Sequence, residues 1–156
     1  MIWRLYHSEA FLTSNAEVFV LGSDTDEHRV QIYTPDYLHS SKPRPVIDSV
    51  NQTKIGHSSK FSISFSNVTS VDQVVLNRLV GSTHGVHADQ RQIVLDCTVT
   101  GTTATCSTPP NNYIAHPGVY YLCVLYQGIP SQAKYMTLQL TGGTMTMMPP
   151  AVARAG

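Results

Sequence analysis

Apolar and polar residues alternate along this chain with a period of two, and no long stretch repeats at the helical period. The clearest case is Lys60–Ser66, KFSISFS. Phe61, Ile63 and Phe65 fall on one face of an extended strand and the three serines on the other. Segments 45–50, 71–80, 90–99, 103–107, 119–126 and 133–140 share the β-branched and aromatic bias of strands, with turn residues between them at short intervals. About seven short strands in about a hundred residues is the pattern of an antiparallel, immunoglobulin-like β-sandwich. No Trp lies between the cysteines, so an antibody-type domain is excluded. The fold class is all-β.

The segment before residue 42 patterns differently. Residues 6–12 and 17–21 read as two strands around the polar turn Thr13-Ser14-Asn15-Ala16, with a third strand at 29–34. Two or three strands are marginal in water by themselves. Phe11, Leu12, Val18, Phe19, Val20 and Leu21 therefore need a neighbour. Ser40-Ser41-Lys42-Pro43-Arg44-Pro45 reads as a hinge, because two prolines restrict the chain and remove donors. The last sixteen residues, TGGTMTMMPPAVARAG, read as a disordered tail. Its Met145, Met147 and Met148 are soft donors of the kind Cu(I) accepts. The chain thus divides into 1–41, 42–140 and 141–156.

Composition narrows the partners. Hydrophobic residues make up 42% of the 156, enough for a packed core, and Lys plus Arg balance Asp plus Glu at ten each. A neutral chain without a basic stripe argues against nucleic acid. No apolar run approaches the roughly 20 residues of a membrane helix, and the first twenty residues lack the layout of a secretory signal. Asn51-Gln-Thr and Asn67-Val-Thr are nevertheless glycosylation sequons. Cys97 and Cys106 flank the turn 100–103 symmetrically, as a cross-strand disulfide in a hairpin requires. Cys123, inside an apolar run, reads as a buried free thiol. An extracellular-type chain without a signal leads to the expectation that its beginning is missing.

Three stretches carry a family resemblance. Arg4-Leu5-Tyr6-His7-Ser8 is followed by the strand Glu17-Val18-Phe19-Val20-Leu21-Gly22-Ser23. Val30-Gln31-Ile32-Tyr33-Thr34-Pro35-Asp36-Tyr37-Leu38 comes next. Ser82-Thr83-His84, Asp89-Gln90-Arg91, Pro117-Gly118-Val119-Tyr120-Tyr121-Leu122 and Gly128-Ile129-Pro130-Ser131 complete the set. In order and spacing these resemble the C-terminal end of copper radical oxidases of the galactose oxidase and glyoxal oxidase type, over about residues 3–140. The resemblance implies that 1–41 is the remnant of the last, kelch-like propeller blade and its connector. It implies that 42–140 is the early-set immunoglobulin-like domain. It also implies a propeller domain as the missing partner, an extracellular setting, and a primary alcohol, aldehyde or carbohydrate as the parent enzyme's substrate.

By the same resemblance, Tyr6 is an axial copper ligand and accepts the proton of the substrate alcohol. His7 is an equatorial ligand and His84 the other histidine ligand, with His87 competing for that place. The family's second tyrosine, cross-linked to a cysteine and carrying a radical, lies upstream, and nothing here matches it. The site for one copper ion is therefore incomplete. Chemistry agrees with the residue types: Cu(II) favours tetragonal sites of nitrogen and oxygen donors. Neighbours on a regular strand point to opposite faces, so Tyr6 and His7 share a metal only at a strand end or bulge. Read without the resemblance, Tyr6-His7 is an ordinary strand pair and His84 a surface histidine. His28, His39, His57 and His116 belong to no motif, and Asp89-Gln90-Arg91 reads as structural.

Two functions follow. The first is a C-terminal fragment of an oxidase that consumes O2 and releases hydrogen peroxide, inactive alone for want of the radical tyrosine. The second is a non-catalytic sandwich for carbohydrate binding or domain contact, with Tyr113, Tyr120, Tyr121, Tyr126 and Tyr135 as the aromatics of a sugar-binding face.

Overall fold

The computed structural model describes residues 2–24, 26–79 and 81–140. The methionines of the tail, Met145, Met147 and Met148, and the expected disorder of 141–156 lie outside the described residues. In chain order the strands are β1 (Glu9–Leu12), β2 (Val18–Leu21), β3 (Gln31–Tyr33), β4 (Val46–Val50), β5 (Lys54–Gly56), β6 (Lys60–Ser66), β7 (Gln73–Arg78), β8 (Gly81–Thr83), β9 (Val86–Ala88), β10 (Gln92–Val94), β11 (Cys97–Thr100), β12 (Thr103–Ser107), β13 (Gly118–Tyr126), β14 (Ile129–Pro130) and β15 (Lys134–Gln139). One turn of 3₁₀ helix, Asp36–His39, follows β3.

Two sheets form the sandwich, one in the order β10-β7-β13-β15-β5 with β14 beside β13, the other β11-β12-β6-β4. Phe61, Ile63 and Phe65 of β6 are all buried, as their alternation requires. From the opposite sheet Leu76, Tyr120, Leu122, Val124, Met136 and Leu138 meet them in one core. Cys97 and Cys106 sit directly opposite each other in register and are joined by a disulfide, with Cα atoms 4.0 Å apart.

β13 explains its own unbroken apolar run. Tyr120, Leu122 and Val124 point into the sandwich, while Tyr121, Cys123 and Leu125 point outward and join Val75 and Ala133 in a second, smaller cluster. A strand covered on both faces reads as continuous hydrophobicity rather than alternation. What lies over the outer face is the separate sheet β1-β2-β3.

That small sheet is tied down at its turn. Arg44, from the proline hinge, donates to Asn15 Oδ1 (3.1 Å), Asn15 O (2.8 Å) and Pro130 O (2.9 Å). The Ala133 N–H donates to Ser14 O at 2.7 Å, and the Tyr37 hydroxyl donates to Ala16 O at 3.3 Å. The hinge segment is thus a clamp rather than a loose linker.

The structure corrects three expectations. Residues 90–99 are two strands in different sheets, not one. Ile93, Leu95 and Cys97 all pack on the core, so the alternation continues smoothly across the point where the chain changes sheet. Leu95 N–H still bonds to Val74 O (2.9 Å), whereas beyond it Ser107 N–H bonds to Asp96 O (2.9 Å). The sandwich is also not wholly antiparallel, because β5 pairs with β15 in parallel. The segment 6–12 begins as a turn, and its strand starts only at Glu9.

Candidate metal centre

Tyr6 and His7 lie in the turn that precedes β1, closed by the Ser8 N–H donating to Leu5 O at 3.3 Å. His7 has φ +64°, the left-handed conformation a type II turn needs at its third residue. The turn breaks the strand's alternation, so both side chains reach the same side: their ring centroids are 4.1 Å apart. Gly22, at the end of β2, passes so close that a Cβ there would lie 2.4 Å from His7 O. Arg4 braces the turn by donating to Gly22 O (3.0 Å) and Gln31 Oε1 (3.3 Å).

His84 comes from another hairpin. β8 and β9 pair through Gly81↔Ala88, Ser82↔His87 and Thr83↔Val86, leaving His84-Gly85 as the two-residue loop. Both loop residues have positive φ, +56° and +70°, as a type I′ turn demands. Asn-Gly is the favoured pair there, and His is among the few other residues that tolerate the left-handed region. The turn throws His84 toward the first one: its ring centroid is 5.9 Å from Tyr6 and 6.0 Å from His7. His87 sits one turn away on β9 and lines the adjoining cleft instead. Its alternation, two residues before Asp89, does not distinguish it from His84 in the sequence; only the tight turn does.

Three rings from two turns thus meet at one open point, with Tyr6 57% exposed. Two imidazoles and a phenol make a donor set of the kind Cu(II) takes in tetragonal geometry, so the residues present fit that ion. Among the described residues no three His, Cys, Asp or Glu side chains are placed to hold a metal ion by themselves, so the phenol is essential to the count. Thr83 Oγ1 lies 2.8 Å from His84 Nδ1. With the proton on Nδ1, Nε2 is left as the donor, the usual way a neighbour sets a ligand's tautomer.

Two residues that the sequence reading left unassigned hold the arrangement. The Glu9 carboxylate accepts from the Ser82 hydroxyl and, at 3.0 Å, from the Gly85 N–H. Those bonds, the hydroxyl first, hold its carboxyl below the usual range against the opposing effect of burial. Gly22 is the other. The only signal for Glu9 in the sequence was its place two residues beyond His7.

Asp89-Gln90-Arg91 is structural. Asp89, with φ +57°, contacts Arg91 at 2.9 Å, Arg78 at 3.1 Å and His116 at 3.4 Å. Burial raises the Asp89 pKa, but Arg91, Arg78 and His116 together outweigh it and leave the pKa lowered. Arg78 also stacks 5.0 Å over the Tyr120 ring and fills the space beside Gly118, where a Cβ would lie 2.0 Å from Nη1. Arg91 donates to Ile114 O at 2.7 Å. His57 is a core residue, Nε2 lying 2.8 Å from Ala115 O.

Beside the centre an open cleft of about 1280 Å³ separates the small sheet from the outer face of β7 and β13. Leu12, Val18 and Leu21 line it from one side, Val75, Cys123 and Leu125 from the other. Cys123 is a free, buried thiol, its pKa pushed up to about 11 by burial, with Arg44 pulling the other way. Of the tyrosines considered for sugar binding, Tyr120 is buried, Tyr121 and Tyr126 are half-buried, and Tyr113 and Tyr135 are exposed.

A solved structure shares this fold, and several known proteins are similar in sequence. A fungal alcohol oxidase of the AA5 family, solved in complex with copper, superposes with TM-score 0.78 and 27% identity over 90% of this chain and 32% of its own. Galactose oxidase of Gibberella zeae is 32% identical over 154 residues, 90% of this chain and 22% of the relative. Aldehyde oxidase GLOX of Vitis pseudoreticulata is 30% identical over 156 residues, 86% of this chain and 30% of the relative. A WSC domain-containing protein of Arthroderma benhamiae is 32% identical over 144 residues, 88% of this chain and 16% of the relative. The chain therefore spans less than a third of each of these proteins. A profile of the family described as galactose oxidase-like, early set domain, matches residues 44–138, the whole sandwich from the Arg44 clamp to β15, and the chain belongs to that family.

Proposed function

We propose that this chain is the ligand-bearing C-terminal part of a copper-dependent oxidase acting on primary alcohols or aldehydes. For an alcohol the reaction is RCH2OH + O2 → RCHO + H2O2. The convergence of Tyr6, His7 and His84, with ring centroids 4.1, 5.9 and 6.0 Å apart, carries this reading. The names of the relatives, galactose oxidase and aldehyde oxidase, support its substrate class.

In this reading His7 and His84 hold the ion through one imidazole nitrogen each, and the Tyr6 oxygen takes up the hydroxyl proton of the alcohol. Copper, when bound, accepts one of the two electrons, and a second one-electron store is required for the other. The family's store is a tyrosine cross-linked to cysteine. The three cysteines here are a disulfide pair and Cys123, none of which the resemblance places in that role. The 156 residues by themselves therefore bind copper without turning over. In this reading β1-β2-β3 is the edge of a propeller, and the disulfide and two sequons favour an extracellular setting.

The test is to load the full chain with Cu(II) and follow peroxide release with galactose, glyoxal and simple primary alcohols. The expected result is no sustained release, with copper binding weakened by His84→Ala. Sustained turnover abolished by Tyr6→Phe would require a radical site within this chain. No copper binding at all would favour the second reading, a binding module, which has the exposed Tyr113 and Tyr135 in its favour.

A further inference from the structure

The β8–β9 hairpin is three residue pairs long, and among the described residues no strand ladder joins it to another sheet. A two-stranded ribbon of that length has little stability in water. Its tip holds two consecutive residues, His84 and Gly85, in the left-handed region. Some interaction outside the hairpin must therefore select the orientation in which His84 faces Tyr6 and His7.

The contacts that do so converge on one side chain. Glu9 opens β1, two residues after His7. One carboxylate oxygen accepts from the Ser82 hydroxyl and the other from the Gly85 N–H at 3.0 Å. Ser82 and Gly85 lie on either side of His84, one on the strand and one in the loop. A bidentate anion is gripped at two points, which fixes rotation as well as distance. Both oxygens are engaged in this way, one by the Ser82 hydroxyl and one by the Gly85 N–H. Its part is thus distinct from ligation.

We propose that Glu9 is a positioning residue whose carboxylate straps the His84 turn to the Tyr6–His7 turn and sets the three-ring geometry before any metal is present. Its consequence for copper rests on the ligand reading above; the geometric claim does not. The strap also explains how residues distant in sequence stay in register although the surrounding cleft is open. Both turns move as one unit with β1.

The test uses the full chain without metal. Nuclear Overhauser contacts between the Tyr6 and His84 rings should be present in the wild type and lost in Glu9→Ala, while core signals of Phe61, Ile63 and Phe65 stay unchanged. Ser82→Ala, which removes one of the two arms and leaves β1 intact, should weaken the same contacts, and serves if Glu9→Ala does not fold. Glu9→Gln, retaining one acceptor oxygen, should fall between. Ring contacts that persist in Glu9→Ala and Ser82→Ala, or are missing from the wild type, would overturn the proposal. So would a lowered melting temperature with unchanged ring contacts, which is the mark of a merely structural residue.

Copper then separates this claim from the one beneath it. Pulsed electron paramagnetic resonance of the Cu(II)-loaded wild type should count two imidazole nitrogens, and Glu9→Ala and His84→Ala one each. Affinity in Glu9→Ala should drop by about 10- to 100-fold, as for other residues that orient ligands. If the ring contacts follow Glu9 but the wild type shows fewer than two imidazoles, the strap stands and the ligand reading falls. Two imidazoles in both wild type and Glu9→Ala would sink the strap and leave the ligand reading intact.

Discussion

The sandwich and the small N-terminal sheet are built from the same kind of strand, yet they are held by different forces. In β6 every second residue is buried, and the opposing sheet supplies matching apolar side chains. In β1 and β2 no residue is fully buried, and Phe11 and Leu12 remain 40% and 42% exposed. The sandwich rests on area removed from water. The small sheet rests on a few directed bonds at its two ends, the Arg44 clamp at the Thr13–Ala16 turn and the Glu9 strap beside His7. The difference matters because the candidate ligands lie at the second of these ends. A region that depends on point contacts can be reoriented by a single substitution, whereas a packed core averages over many.

The sharpest way to break this comparison is to cut equivalent side chains from each region. Phe61→Ala should destabilise the fold by about 3–5 kcal/mol, and Phe11→Ala by less than about 1 kcal/mol, both read from urea denaturation. Similar losses at the two sites would mean that the small sheet is part of the same cooperative core. Removing the disulfide with Cys97→Ser and Cys106→Ser together should cost about 2–3 kcal/mol, given the short loop it closes. That loss should appear in the sandwich transition and leave amide exchange in β1 and β2 unchanged.

A smaller and more local effect is expected at the clamp. Arg44→Ala removes bonds to Asn15 and Pro130, worth about 1–2 kcal/mol for docking of the small sheet. Amide exchange in β1 and β2 should accelerate by about tenfold, and Cys123, beneath that sheet, should become reactive toward thiol reagents at mild alkaline pH. In the wild type its buried thiol, with pKa about 11, should react slowly there. Fast labelling of the wild type would show that the sheet is not docked.

The smallest effect concerns pH. The folded pKa of Asp89 lies below its unfolded value near 3.9. Its contribution is therefore fully present above about pH 4 and is lost as pH falls through the folded value. Asp89→Asn should flatten the acid side of the stability curve and leave the curve above pH 5 parallel to the wild type. An unchanged acid limb would show that Asp89 is not coupled to Arg78 and Arg91.

The sandwich was largely legible in the residues. KFSISFS named its own inward face, and the hairpin 97–106 named its own disulfide, because both are short-range facts of period and turn. The sheet change within 90–99 was hidden, since a strand can exchange partners without any break in alternation. β5 was missed because its pairing with β15 is parallel and long-range, and three residues carry no period. The candidate site was legible through the resemblance alone: neither a Tyr-His pair nor a His in a turn distinguishes itself by pattern.

By itself the sequence determined the all-β class, the inward residues of the main strands and the cysteine pair. Each of these depends on neighbours within a few positions. Only the tertiary structure decided that Tyr6 and His7 face the same way, that His84 and not His87 meets them, and that Glu9 and Arg44 hold the two regions together. Those outcomes hinge on left-handed turns at His7, His84 and Gly85 and on bonds between segments far apart in the chain. A local pattern carries no information about where such a turn will aim its side chain until the rest of the fold has supplied the surface it meets.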